Sequence, residues 1–116
     1  MKKKNIVKEN KDFSKIINSG QKKWNDTFSI YYINNNRDDY RFGISVSKKI
    51  GNAVVRNKIK RQVRNIVDKY KKIYPKHQDY IIIIRRNYIN LNFSEIDSKY
   101  IELMKKIINK KESNNE

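Results

Sequence analysis

The sequence predicts an α+β domain, a small mixed β-sheet packed with helices. Three observations predict it. Apolar residues recur at steps of three and four in three separate segments, the signature of amphipathic helices. Between the first two lie β-prone runs with partial alternation of apolar and polar residues. The run Tyr80-Ile81-Ile82-Ile83-Ile84 is continuously apolar, which suits a central strand covered on both sides. The order is therefore helix, strands, helix, strand, helix, with helices packed on a small sheet. The length, 116 residues, fits one domain spanning 1–116 with a modest core. No internal repeat is visible.

Residues 1–9 are polar and basic and read as a flexible arm. Asn10 can cap a first helix that carries Phe13, Ile16 and Ile17 on one face, with Gly20 as its stop. A short strand is placed around residues 22–24. Residues 28–33 form a second strand, with Tyr31 on the opposite face from Ile30 and Tyr32. The polar segment 34–39 is a turn. In residues 40–46, Tyr40, Phe42, Ile44 and Val46 share one face, and Arg41, Gly43 and Ser45 the other. These last two strands are expected to form a hairpin. After a Gly51 turn, Asn52 caps a long helix whose apolar stripe is Ile59, Val63, Ile66, Val67 and Tyr70. It is expected to run to about Ile73, before Pro75. The apolar strand 80–84 follows. Ser94 opens the last helix, with Asp97 as a partial capping box. Its stripe is Ile96, Tyr100, Leu103, Met104, Ile107 and Ile108. Residues 110–116 read as a frayed polar tail. With parallel strands, the unit from Phe42 to Ile84 would by default cross over right-handed.

Net charge is +16, from 28 Lys and Arg against 12 Asp and Glu. Such an excess attracts nucleic acid or an anionic membrane. No apolar run approaches the roughly 20 residues needed to span a bilayer. The first residues lack the apolar stretch of a signal peptide. Cysteine is absent, which excludes a disulfide framework and a thiolate metal site. These features point to a cytoplasmic nucleic-acid binder.

The charge concentrates on the long helix. Arg56, Lys60 and Arg64 form a row at four-residue spacing, with Lys58 and Arg61 broadening it and Asn57 among them. Like charges four apart cost a helix roughly 0.2–0.5 kcal/mol per pair. Cations in the first turn also oppose the helix dipole. No acidic residue occurs between Arg41 and Asp68 to relieve the row. A face kept at such a cost is suited to a polyanion. No catalytic constellation accompanies it. His77 is the single histidine, in a Lys-rich loop. Asp38 and Asp39 fit an Asn- and Asp-rich turn better than a two-metal nuclease, which needs ligands converging from several elements.

The stretch Ser45-Val46-Ser47-Lys48-Lys49-Ile50-Gly51-Asn52-Ala53-Val54-Val55-Arg56-Asn57-Lys58-Ile59-Lys60-Arg61-Gln62-Val63-Arg64 resembles the signature of the bacterial ribonuclease P protein subunit. Asp12-Phe13, Arg41-Phe42-Gly43-Ile44 and Asp79-Tyr80-Ile81-Ile82-Ile83 fit the family's pattern as well. The resemblance implies the order α-β-β-β-α-β-α, as in ribosomal protein S5 domain 2, with a left-handed β-α-β crossover against the default. It implies an accessory subunit of an endoribonuclease. The RNA subunit would be the catalyst, cleaving the 5′ leader from precursor tRNA with bound Mg2+, and the protein would supply no catalytic residue and no metal ligand. The implied partners are ribonuclease P RNA and the precursor tRNA 5′ leader, with no membrane and no obligate protein partner.

By the same resemblance, Lys48, Lys49, Asn52, Arg56, Asn57, Lys58, Lys60, Arg61 and Arg64 would bind RNA. A cleft for the single-stranded leader would be lined by Phe13, Ile17, Tyr31, Arg56, Asn57, Lys60 and Arg64. Apolar and aromatic surface beside cations is what a single strand requires. Three departures stand out. Lys58 replaces the third arginine of an Arg-Asn-Arg motif and lacks its planar fork. Ile17 stands where the family often has Phe, and Asp26 and Thr27 where it is usually more basic. A structural RNA-binding protein, such as a ribosomal protein, would share the composition and fold class but not the signature.

Overall fold

The computed structural model describes the backbone of residues 1–113 and the side chains of residues 1–108. Helix α1 (Asn10–Ser19) leads into strands β1 (Gln21–Trp24), β2 (Phe28–Asn34) and β3 (Arg41–Ser45). Helix α2 (Ala53–Lys69), strand β4 (Gln78–Ile84) and helix α3 (Phe93–Ser113) follow. The order is α-β-β-β-α-β-α. Short 3₁₀ turns occupy Lys3–Asn5, Lys71–Ile73 and Arg86–Asn90.

The sheet order is β1-β2-β4-β3. Strand β4 pairs antiparallel with β2 and parallel with β3. The expected hairpin between β2 and β3 is therefore absent. The hairpin is β1–β2 instead, closed where the Asn25 carboxamide oxygen accepts from the Thr27 and Phe28 N–H groups. The physical reason lies in β4. Its residues are apolar on both faces and need ladder partners on both edges, so it takes the centre and separates β2 from β3.

Alternation along the strands divides the core in two. On one face, Phe28, Ile30, Phe42, Tyr80 and Ile82 meet Ile59, Val63, Ile66 and Val67 of α2 and Ile96, Tyr100, Leu103 and Met104 of α3. Tyr74 and Tyr100 share a 2.8 Å hydroxyl contact there, and Tyr74 donates to the Val67 carbonyl at 2.8 Å. Burial pushes both phenols upward from their ordinary pKa. On the other face a smaller cluster joins Val7, Ile16 and Ile81, with Phe13, Tyr31, Ile33 and Ile83 packed against it.

The helix ends correct several expectations. Asn52 caps α2 as predicted, its side chain accepting from the Val55 N–H at 3.0 Å. That helix ends at Lys69, and residues 71–73 form a separate turn. Asn10 does not cap α1: it lies inside the helix, and Glu9 occupies the cap with no side-chain bond. Gly20 closes α1 in extended backbone, and its lack of a side chain serves close approach. A Cβ there would lie 2.5 Å from the Ile16 carbonyl oxygen and 2.8 Å from that of Tyr32. The capping box of α3 is Asn92 with Glu95, each side chain accepting from the other's N–H. The residues expected in that role, Ser94 and Asp97, lie inside the helix, and Asp97 instead binds Lys69 and Tyr70 of the α2 end.

The arm is not loose throughout. Ile6 bridges Phe42 in parallel, the Val7 N–H donates to the Phe42 carbonyl at 2.9 Å, and Val7 is buried. The apolar pair Ile6-Val7 extends the sheet beside β3. Helix α3 continues through Ser113, past the expected start of fraying at 110, and the remaining three residues of the expected tail lie outside the described residues.

Candidate nucleic-acid interface

The Asn52 cap and the apolar stripe fix how α2 lies on the sheet, and that orientation sorts its cations. Ile59, Val63, Ile66 and Val67 face inward. At 3.6 residues per turn, Arg56, Lys60 and Arg64 run along one flank of that stripe, while Lys58 and Arg61 point away from it. Arg56 and Lys60 are half-buried, and Asn57, Lys58, Arg61 and Arg64 are exposed. Lys48 and Lys49 are exposed in the turn before α2, where the Ile50 N–H donates to the Ser47 carbonyl. The Asn52 oxygen is engaged in the cap, which leaves its amide NH₂ for any further partner.

Among the described residues, none of Lys48, Lys49, Arg56, Lys58, Lys60, Arg61 and Arg64 forms an ion pair. Several acids are engaged elsewhere. Asp12 and Asp79 bind Arg41, Asp26 binds Lys99, Asp39 binds Lys4 and Asp97 binds Lys69. Burial opposes ionisation of Asp97, but hydrogen bonds from Lys69 and Tyr70 hold its carboxyl below the usual range. Among the described residues, Arg56 Nε is buried with no hydrogen-bond partner. A buried unpaired donor costs stability unless something supplies an acceptor.

The cleft-side row meets apolar surface. Phe13, Phe42, Gly43, Ile44, Lys60 and Arg64 line a cavity of about 70 Å³ together with Met1, Ile6 and Val7 of the arm. Gly43 permits this approach, because a Cβ there would fall 2.6 Å from the Phe13 ring. Phe13 and Tyr31 belong to the same apolar cluster. Ile17, one helical turn beyond Phe13, is 37% exposed. The structure thus brings Phe13, Lys60 and Arg64 together and links Tyr31 to them through the sheet. Ile17, Arg56 and Asn57 lie outside that cavity. Sequence reasoning missed Ile6 and Val7, whose signal was two adjacent apolar residues in a charged arm.

Arg41 anchors the frame of the cleft. Its guanidinium forks onto Asp79 at 2.9 and 2.6 Å and reaches Asp12 at 3.4 Å, tying β3 to β4 and α1. The pair is nine-tenths buried, and Asn35 Nδ2 also donates to Asp79 at 2.7 Å.

No group of three or more His, Asp or Glu side chains converges as a metal site among the described residues. Asp12 and Asp79, which share Arg41, are both paired with its guanidinium. Among the described residues, then, no side-chain set fits a Mg2+ ion held by the protein itself. Likewise, among the described residues no helix is long and apolar enough to cross a membrane.

Comparison with known proteins agrees with this architecture. The family model described as Ribonuclease P matches residues 1–108. The ribonuclease P protein component of Mesoplasma florum is 44% identical over 108 residues, covering 93% of this chain and 96% of that protein. The structure of the Staphylococcus aureus RNase P protein superposes with a TM-score of 0.81 at 37% identity, covering 87% of this chain and 93% of that one. The RNase P protein of Thermotoga maritima gives a TM-score of 0.79 at 32% identity, covering 86% and 94%. By its sequence, its strand order and these matches, the chain belongs to the ribonuclease P protein family.

Proposed function

We propose that this chain is the protein subunit of a cytoplasmic ribonuclease P and assists removal of the 5′ leader from precursor tRNA. The observation that carries the reading is the meeting of the Phe13 ring with the unpaired cations Lys60 and Arg64 around one cavity. A single strand needs both, a face to stack on and charge to neutralise its phosphates.

In this reading the two sides of α2 divide the work. Lys48, Lys49, Asn52, Lys58 and Arg61 face the catalytic RNA. Phe13, Ile17 and Tyr31 hold the leader, with Arg56, Asn57, Lys60 and Arg64 along the boundary between the two RNAs. The buried, unpartnered Arg56 Nε supports an acceptor arriving at that boundary. Magnesium would be held by the RNA subunit and supply the chemistry of cleavage. This chain's residues bind and orient, so the leader is placed without any side chain touching the scissile bond.

The test is cleavage of a precursor tRNA by a bacterial ribonuclease P RNA at low magnesium, with and without the protein. Restored 5′ cleavage, with none by the protein alone, is expected. Binding of the RNA without rescue would replace this reading with that of a structural RNA-binding protein.

A further inference from the structure

The sheet face that carries Phe13 continues past the cavity to the β1 edge. Strand register places Trp24, Ser29, Ile83 and Ser45 in one row across the sheet, and Lys22, Tyr31, Ile81 and Gly43 in the next. Alternation puts both rows on the α1 side. Phe13 lies over Gly43 in the second row. In the first row two serines leave a low floor around Ile83. Trp24 closes that floor at the far edge and is 61% exposed.

Lys22 links the two rows. Its Nζ lies 5.4 Å from the Trp24 ring and 5.4 Å from the Tyr31 ring. It forms no ion pair among the described residues. The nearest carboxylate in sequence, Asp26, is bound to Lys99 at 3.2 Å. A largely exposed indole with an ammonium that has no carboxylate partner among the described residues, on a chain of net charge +16, complements a base and its phosphate. From β3 to β1 the sheet spans three strand spacings, roughly 14 Å.

We propose that Trp24, with Lys22, is a base-stacking station for single-stranded RNA that has crossed the sheet beyond Tyr31. This rests on the leader-binding reading above. If the catalytic RNA lies against α2, the leader enters at Lys60 and Arg64, and its more distant nucleotides reach Trp24.

Trp24 is the single tryptophan, so its fluorescence reports on this station alone. With holoenzyme reconstituted on ribonuclease P RNA, a precursor tRNA with a long leader should quench Trp24 emission. One whose leader is too short to cross the sheet should not. Trp24→Ala should weaken binding of the long-leader precursor about five- to ten-fold, the low end of one stacked base. It should leave the short-leader precursor unchanged, and Trp24→Phe should lose less. Absence of quenching at saturation overturns the proposal. So does quenching by the RNA subunit alone, which would place Trp24 against that RNA. If the wild-type holoenzyme binds both precursors no better than mature tRNA, the leader reading itself fails; if it favours both over mature tRNA but equally, the Trp24 station fails. If it discriminates between them but Trp24→Ala does not change that discrimination, only the Trp24 station fails.

Discussion

The two faces of one sheet serve different ends. The face under α2 and α3 is closed: Phe28, Ile30, Ile82 and Tyr100 are fully buried, and aromatic rings meet edge to face, as Phe28 does with Tyr88 and Tyr100. The face under α1 is half covered. It leaves Tyr31 and Ile83 partly exposed and borders the unpaired cations Lys60 and Arg64. Neighbouring residues on a strand therefore answer to different demands. Ile30 and Ile82 hold the fold together, and Tyr31 and Ile83 leave apolar surface partly exposed. The difference teaches that the cleft exists because one helix of ten residues cannot cover a four-stranded sheet.

The comparison breaks most visibly on the closed side. Phe28→Ala removes a fully buried ring and is expected to cost about 3–5 kcal/mol of stability, read by chemical denaturation. A loss below 1 kcal/mol would mean that this face is not the main core. On the open side, Phe13→Ala should weaken binding of leader-bearing precursor by about 1–3 kcal/mol, with mature tRNA affected less. Thermal melting of the same variant separates lost packing from lost stacking, and equal loss on both substrates would assign Phe13 to the core alone.

The remaining two changes are smaller and concern the basic flank. Arg64→Ala should lower the slope of log affinity against log salt by roughly 0.7–0.9, the signature of one phosphate contact. An unchanged slope would place Arg64 away from phosphate. Lys58→Arg restores the planar fork at an exposed position and should tighten binding to ribonuclease P RNA by less than about 1 kcal/mol. Tighter binding of the leader instead would move Lys58 to the cleft side of α2.

Much of this was legible in the residues. The Asn52 cap, the inward stripe of α2, the two faces of β3 and the doubly covered run of β4 are local patterns, and a local pattern is written in consecutive side chains. The row Arg56, Lys60 and Arg64 was visible for the same reason. In sequence Asn92 and Ser94 both suit the cap of α3, and only the reciprocal bonds with Glu95 distinguish them. Ile6 and Val7 look like part of the arm in sequence, since their partner, Phe42, is far along the chain.

By itself, then, the sequence determined the main elements, their order, the inward stripes of α2 and α3 and the clustering of charge, all of which depend on neighbours within a turn or a strand. Tertiary structure alone decided which strands pair. Strand β4 was inserted between β2 and β3 because an apolar strand gains most where both edges are hydrogen-bonded and both faces are covered. That choice set the width of the sheet, and the short α1 left part of it open. The meeting of Phe13 with Lys60 and Arg64 follows from distant segments converging, which no local pattern can specify.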